Sequence, residues 1–303
     1  MTETGLGRQL ALSKAARPRG VVRPSRMSRL APALGRVAIY AVVIILGASF
    51  LFPLLWMISS SLKPEWDVFA FPPSLIPRQV LWSNYPQAWT AIPYWRFTLN
   101  TLTIAIPTLI GVLLSNSLVA YSFSMLNWPG RDTLFFLSLC TMMVPYQVTM
   151  IPLFVLFARI GWTGTYLPLI VPAFFGSSYY VFLLRQFLLT IPRELSDAAM
   201  IDGASPLRVY ASIAMPLMRP ALAVVSAFHF IGVWGDYLAP LIYIRREHMY
   251  TLALGLTLFR SMHNERWALL MAASVTATMP IIVLFFLMQR TFIEGITLTG
   301  IKG

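Results

Sequence analysis

The chain has 303 residues, of which 57% are hydrophobic and 11% charged, and its mean hydropathy is +0.70. A soluble globular domain carries about 25% charged residues, so that class is excluded. The net charge of +12 would suit nucleic acid, but no nucleic-acid fold signature accompanies it and the basic residues crowd one end.

Eight of them lie in the first 36 positions, beside Pro18, Pro24 and Pro32. Residues 1–36 therefore read as a basic tail facing anionic membrane lipid. The apolar run that follows is too long for a cleavable signal core and lacks a small-residue cleavage site, so it reads as an uncleaved anchor. Crossing a hydrocarbon core takes about 20 apolar residues. Six stretches qualify, near Val37–Ser60, Phe97–Phe123, Thr133–Ala158, Tyr166–Thr190, Ala221–Ile244 and Trp267–Thr291. In lipid every backbone group must be bonded within its own segment, which predicts helices. The expected fold is all-α, a polytopic membrane protein with six transmembrane helices over residues 37–294 and a short tail at 295–303.

Between the first two spans, residues 61–96 are dense in proline and aromatics, among them Trp66, Phe69, Phe71, Trp82, Tyr85, Trp89 and Trp95. Such rings suit the headgroup level of a membrane, and they equally suit docking of a protein outside it. Within the spans polar residues are few. Tyr146 and Gln147 follow Pro145 in the third, where a proline kinks a helix and frees a carbonyl. Ser178 and Tyr179 lie in the fourth, and Trp234 and Asp236 in the fifth. An intramembrane carboxylate such as Asp236 is a functional candidate by default, although its place near the end of a span also allows a structural role. Rings beside hydroxyl and amide groups would suit a sugar, and these six residues form the candidate solute pathway. The lone Cys140 sits in the third span, so no intrachain disulfide is possible.

The loop at 191–219 carries the most specific pattern. Asp197-Ala198-Ala199-Met200-Ile201-Asp202-Gly203 is followed nine residues later by Ile213-Ala214-Met215-Pro216. Pro192 suits a first helical turn, and Glu194 and Asp197 place negative charge at its positive end. Gly203 supplies a left-handed stop. Ser205-Pro206 restarts a helix with a capping hydroxyl and a proline at its first position. Leu207, Tyr210, Ala211 and Ala214 then form one apolar stripe, and Met215-Pro216 ends the element. Two short helices hinged at a glycine outside the membrane are suited to dock against another protein.

This spacing resembles the EAA signature of the membrane subunits of ATP-binding-cassette importers. Asp197 stands where that family usually has Glu, and Met215 where it has Leu; charge and apolar volume are both kept. Asn100-Thr101-Leu102 and Phe182-Leu183-Leu184-Arg185-Gln186-Phe187 are similar to segments of its sugar-importer members, and Gly300-Ile301-Lys302-Gly303 to a tail found among them. Trp234-Gly235-Asp236 stands where the family commonly has Trp-Asn. The resemblance implies a permease subunit that is not itself an enzyme. Its ATPase-coupling residues would be Asp197, Ala198, Ala199, Gly203, Ile213 and Pro216, with Gly300, Lys302 and Gly303 contacting the ATPases. It implies a second related permease subunit, two ATPase subunits that hold ATP and magnesium, and an extracytoplasmic substrate-binding protein.

Orientation follows from Lys and Arg. With both termini cytoplasmic, only Lys63, Arg78, Arg96, Arg159, Arg245, Arg246, Arg260 and Arg266 of the 23 basic residues lie outside. The positive-inside bias favours that topology in a bacterial or archaeal plasma (inner) membrane. There is no Gly-x-x-x-x-Gly-Lys-Ser/Thr phosphate loop in the chain, and His229, His248 and His263 lack any metal-site spacing. The competing class is a stand-alone secondary carrier, which would show inverted repeats, discontinuous helices and charged pairs at mid-membrane.

Overall fold

The computed structural model describes residues 26–261 and 266–300, and every regular element among them is helical. It divides after Leu55 into two units. The described part of the first is a single helical stretch, the start of α1 (Arg26–Ser61), with apolar side chains such as Ile44 and Phe50 exposed. The helix begins at Arg26, inside the stretch expected to be tail. Arg, Met, Leu and Ala over 26–31 are good helix formers, and their propensity decides the local structure.

In the second unit, α2 (Asn84–Ala91) leads into α3 (Tyr94–Met125), the 32-residue helix on which the remainder packs. Its buried positions, including Phe97, Thr101, Ile104, Ala105, Thr108, Gly111, Asn116, Ala120, Tyr121 and Ser124, recur at three- and four-residue steps and make one face. Most are small or carry a hydroxyl. Lipid removes the hydrophobic drive between helices, and small residues gain contact by letting backbones approach. A Cβ on Gly111 would stand 2.8 Å from the Phe174 ring. Thr101, Thr108 and Ser124 each satisfy their hydroxyl on the carbonyl four residues earlier. The opposite face, with Leu99, Ile106, Ile110 and Leu114, is exposed. One apolar cluster gathers Tyr121, Leu184, Leu188, Val209 and Met218; a second, towards Tyr94, gathers Phe97, Trp234, Leu252, Phe259 and Ala272.

Ile39–Ser61, Tyr94–Met125, Leu167–Leu188 and Trp267–Gln289 are long and apolar enough to cross a membrane as they stand. The third expected span is not one helix. It is α4 (Arg131–Thr141) and α5 (Tyr146–Arg159), bent by 95°. Pro145 has no N–H and steers Val144 out of helical conformation, so the helix stops where only a kink was expected. The fourth span is also interrupted. Leu167–Ile170 passes into a tight turn at Val171–Phe175, and the helix resumes as α6 (Ser178–Leu188). Asn116, fully buried on α3, repairs that break: its Oδ1 accepts from the Ser177 N–H at 2.6 Å and its Nδ2 donates to the Val112 carbonyl at 2.7 Å.

After the loop helix α7 (Glu194–Ile201) comes α8 (Arg219–Trp234). The fifth expected span breaks at Gly235–Tyr237, because the Asp236 carboxylate accepts from the Ala239 N–H at 3.2 Å and starts a new short helix, Leu238–Tyr243. Finally α9 (Trp267–Gly300) runs through position 295, where a separate tail was expected; no proline interrupts the helix there. Residues 1–25, His263, Lys302 and Gly303 lie outside the described residues. The aromatic segment at 61–96 is folded on its own polar core. Lys63 is fully buried, 4.7 Å from the Trp56 ring, and Asn84 donates to the carbonyls of Ser61 and Lys63 at 2.9 and 2.8 Å.

Candidate functional site

Two features stand out, a loop beyond the end of α3 and a cavity lined by broken helices. In the loop, α7 carries Glu194 and Asp197 in its first turn, preceded by Pro192 and Arg193. It stops at Gly203, whose φ is +85° and whose successor Ala204 bonds back to the Ala199 carbonyl at 2.9 Å. Such a left-handed stop is what glycine adopts without a Cβ penalty. Ser205 then caps the next helix, accepting from the Arg208 N–H at 3.3 Å, with Pro206 at the first position.

That helix widens into a π-turn over Tyr210–Ala214 and tightens again over Met215–Leu217. Met215-Pro216 therefore does not end it. The wide turn relieves the clash that a proline ring makes with the carbonyl four residues back. The chain turns by 75° only between Leu217 and Arg219. The π-turn also shifts the register of the side chains, so the expected stripe is divided between two faces. Val209, Ala214 and Met218 are buried with Tyr210 and Ile213 against them, whereas Leu207 and Ala211 point outward.

The inner face is fastened to the last turns of α3. The hydroxyls of Tyr210 and Ser117 share a hydrogen bond of 2.8 Å, and the Tyr210 ring lies 5.4 Å from that of Tyr121. The Tyr121 hydroxyl donates to the Pro206 carbonyl at 3.1 Å. Arg193 and Arg185 donate to the carbonyls of Ser124 and Phe123 at 3.1 and 3.2 Å, where the end of a helix leaves carbonyls unpaired and favours a cation. Arg185 also covers the Phe135 ring at 4.1 Å. Tyr210, Pro206 and Arg185 were noted in the sequence for other reasons, but their partners on α3 were not; the hydroxyls at Ser117, Tyr121 and Ser124, at helical spacing, were the available signal. Of the motif residues, Asp197, Ala198, Gly203 and Pro216 are exposed, and Ala199 and Ile213 are half-buried. Gly300 is the last residue of α9.

The cavity, of about 240 Å³, brings together Tyr146 and Asp236 from the sequence-based set and adds Tyr243, Thr101 and Thr251. The other pathway candidates do not line it. Gln147 is exposed. Ser178 shares a 3.0 Å hydrogen bond with Thr141, and Tyr179 packs on Tyr180 at 5.4 Å. Trp234 is buried and stacks on Phe230 at 5.3 Å, with its indole N–H donating to the Ala277 carbonyl at 2.9 Å.

The family profile described as binding-protein-dependent transport system inner membrane component matches residues 108–297, which include the loop, both Tyr146 and Asp236, and most of α9. The arabinooligosaccharides transport system permease protein AraQ of Halalkalibacterium halodurans is 34% identical over 83% of this chain and 91% of that protein. The sn-glycerol-3-phosphate transport system permease protein UgpE of Escherichia coli is 32% identical over 84% of this chain and 93% of that one. In the crystal structure of a bacterial transporter that imports the acidic polysaccharide alginate, one chain shares the fold with a TM-score of 0.74 at 21% identity, covering 88% of this chain and 98% of its own length. A second structure, the bacterial alginate transporter with an alginate pentasaccharide-bound periplasmic protein, contains a chain of TM-score 0.64 at 12% identity, covering 86% and 96%. The profile spans the loop, its hinge and the broken helices, and this chain belongs to the inner-membrane components of binding-protein-dependent transport systems.

Proposed function

We propose that this chain is one of two permease subunits of an ATP-binding-cassette importer that moves a sugar or related polyhydroxyl solute. Its relatives include permeases named for arabinooligosaccharides and for glycerol phosphate. The observation that carries the coupling role is the two-sidedness of the loop. One face is fastened to α3, while Ile201 and Leu207 on the other are 85% and 66% exposed. Exposed apolar side chains on both short helices, with Ile201 one turn beyond the exposed Asp197, are a surface that a partner covers. The partner is an ATPase subunit, which holds ATP and magnesium. Its closure on ATP pulls the loop as a rigid body, and the helices behind rock between two arrangements.

In this reading the loop and both termini are cytoplasmic, and Gly300, Lys302 and Gly303 reach the ATPase pair. The aromatic segment faces outward with Trp66, Phe69, Phe71 and Trp82 well exposed, a surface suited to the substrate-binding protein. Discontinuous helices, expected for a secondary carrier, occur here too and so do not separate the classes; the fastened loop favours the importer. The test is co-purification. Ile201→Asp with Leu207→Asp should leave the permease pair in the membrane and release the ATPase subunits. A complex that keeps its ATPases and its transport rate refutes the docking surface.

A further inference from the structure

The cavity bounded by Tyr146, Asp236 and Tyr243 carries an inference about what passes. Three interruptions of the helices meet there. Tyr146 is the first helical residue after the 95° bend, Asp236 lies in the break before Leu238–Tyr243, and Pro168, Leu169 and Pro172 come from the short turns ahead of Gly176. Non-helical backbone at membrane depth is tolerated where it lines a cavity, because polar groups there can be satisfied by water or solute. The walls mix apolar surface from Leu153 and Phe157 with the polar side chains of Tyr146, Asp236 and Tyr243, the pattern of a small-molecule site.

Its polar centre is specific. Tyr146, Asp236 and Tyr243 line the same recess, so two phenols and one carboxylate share it. The Asp236 carboxylate accepts from the backbone N–H of Ala239 at 3.2 Å. An ionised carboxylate has about four acceptor positions, so capacity remains on the cavity side. Among the described residues, the ion pairs join Arg78 to Asp67 and Arg131 and Arg185 to Asp132; none involves Asp236.

Resting on the importer reading above, we propose that this recess contacts the solute and acts as a charge filter: it accepts uncharged polyhydroxyl solutes, whose hydroxyls donate to Asp236, and disfavours anionic ones. A solute carboxylate or phosphate in the recess would face an unpaired like charge at close range in a partly desolvated site. That repulsion amounts to at least about a tenfold penalty. The distinction matters because the relatives differ on this point, one being named for a neutral oligosaccharide and another for a phosphate ester.

The test uses the assembled transporter in proteoliposomes with its binding protein. Initial ATP-dependent import is compared for a neutral oligosaccharide and the same oligosaccharide oxidised to a terminal uronate, each at measured, equal occupancy of the binding protein. The wild type should import the neutral member at least tenfold faster. Asp236→Asn preserves the helix cap and should narrow the ratio below threefold while neutral import persists. A wild-type ratio near one, or an unchanged ratio in the Asn variant, overturns the filter. Should the Asn variant not assemble, Tyr146→Phe carries the test: neutral import must fall severalfold, and unchanged import overturns the contact. A complex that imports neither solute, with ATPase activity indifferent to loaded binding protein, refutes the importer reading itself and the filter with it.

Discussion

Replacing Gly203 by valine isolates the hinge of the loop. The backbone there has φ of +85°, and a Cβ built on it meets no atom within 4 Å. A Cβ therefore meets open space, and the cost it carries is conformational. Holding an ordinary L-residue in the left-handed region costs roughly 1–2 kcal/mol, and a β-branched one sits at the upper end. At about 1.4 kcal/mol per tenfold, the folded hinge loses about 5- to 30-fold in population relative to opened forms. The second half of the loop stays fastened through Tyr210 and Tyr121, so the opening falls on α7 and its motif residues. Import and binding-protein-stimulated ATPase activity of the reconstituted complex should drop by more than about twofold and by up to that factor, with the amount of protein in the membrane unchanged. Gly203→Asn, which tolerates the left-handed conformation, should keep at least half the activity. A Val variant within about twofold of wild type would refute the hinge argument. So would Asn and Val variants that are equally impaired, since backbone conformation would then not be the cause.

Asn116→Leu keeps the volume near the break in the fourth span but orphans the Ser177 N–H, so the solubilised complex should lose about 1–3 kcal/mol of stability in thermal or denaturant unfolding; no measurable loss would show that the break is held otherwise. Tyr210→Phe removes the bond to Ser117 and keeps the ring contact with Tyr121, which should raise amide exchange over residues 207–210 by about fivefold, the equivalent of one hydrogen bond. Gly111→Val drives methyl groups into the Phe174 ring and should destabilise by about 1–3 kcal/mol, a loss that Phe174→Ala should partly relieve. Single cysteines at the exposed positions Ser205 and Ser83 should be labelled by impermeant reagent from opposite sides of the membrane, and labelling from the same side would overturn the assigned topology.

The loop was legible because its determinants are local. A glycine with positive φ, a serine cap and a proline at the first helical position each act within a few residues, and Gly203, Ser205 and Pro206 take up the predicted conformations. The apolar stretches were legible as composition, which registers how much of a window is oily and not whether its backbone is continuous. That is why the bend at Met142–Pro145 read as a kink and why the breaks at Gly176 and Asp236 went unseen. The π-turn escaped for a related reason, since helical periodicity assumes a constant turn. The cavity was half legible. Tyr146 and Asp236 were singled out as polar residues in oily surroundings; Tyr243, seven residues after Asp236, was within reach of a helical spacing, but the break at Gly235–Tyr237 hid it, and only tertiary contact brings Tyr146 to them.

Helix α3 is held by polar bonds at both of its ends. At one, Ser117, Tyr121, Phe123 and Ser124 hold the loop and its arginines. At the other, Asn100 donates to the carbonyls of His248 and Tyr250 at 3.0 and 2.9 Å, and Thr101 accepts from the Leu252 N–H at 2.8 Å. Thirty-two residues of helix span about 48 Å, so one continuous helix, with Pro107 as its one weak point between the grips, connects the loop to the backbone around Thr251 at the cavity rim. A hydrogen bond has almost no slack. Any stroke delivered at the loop that exceeds a fraction of an ångström must either carry Thr101 with it or release one grip first. The order in which these two grips let go would then set when the cavity changes shape relative to the ATPase cycle, and exchange at the Leu252 amide is the place to time it.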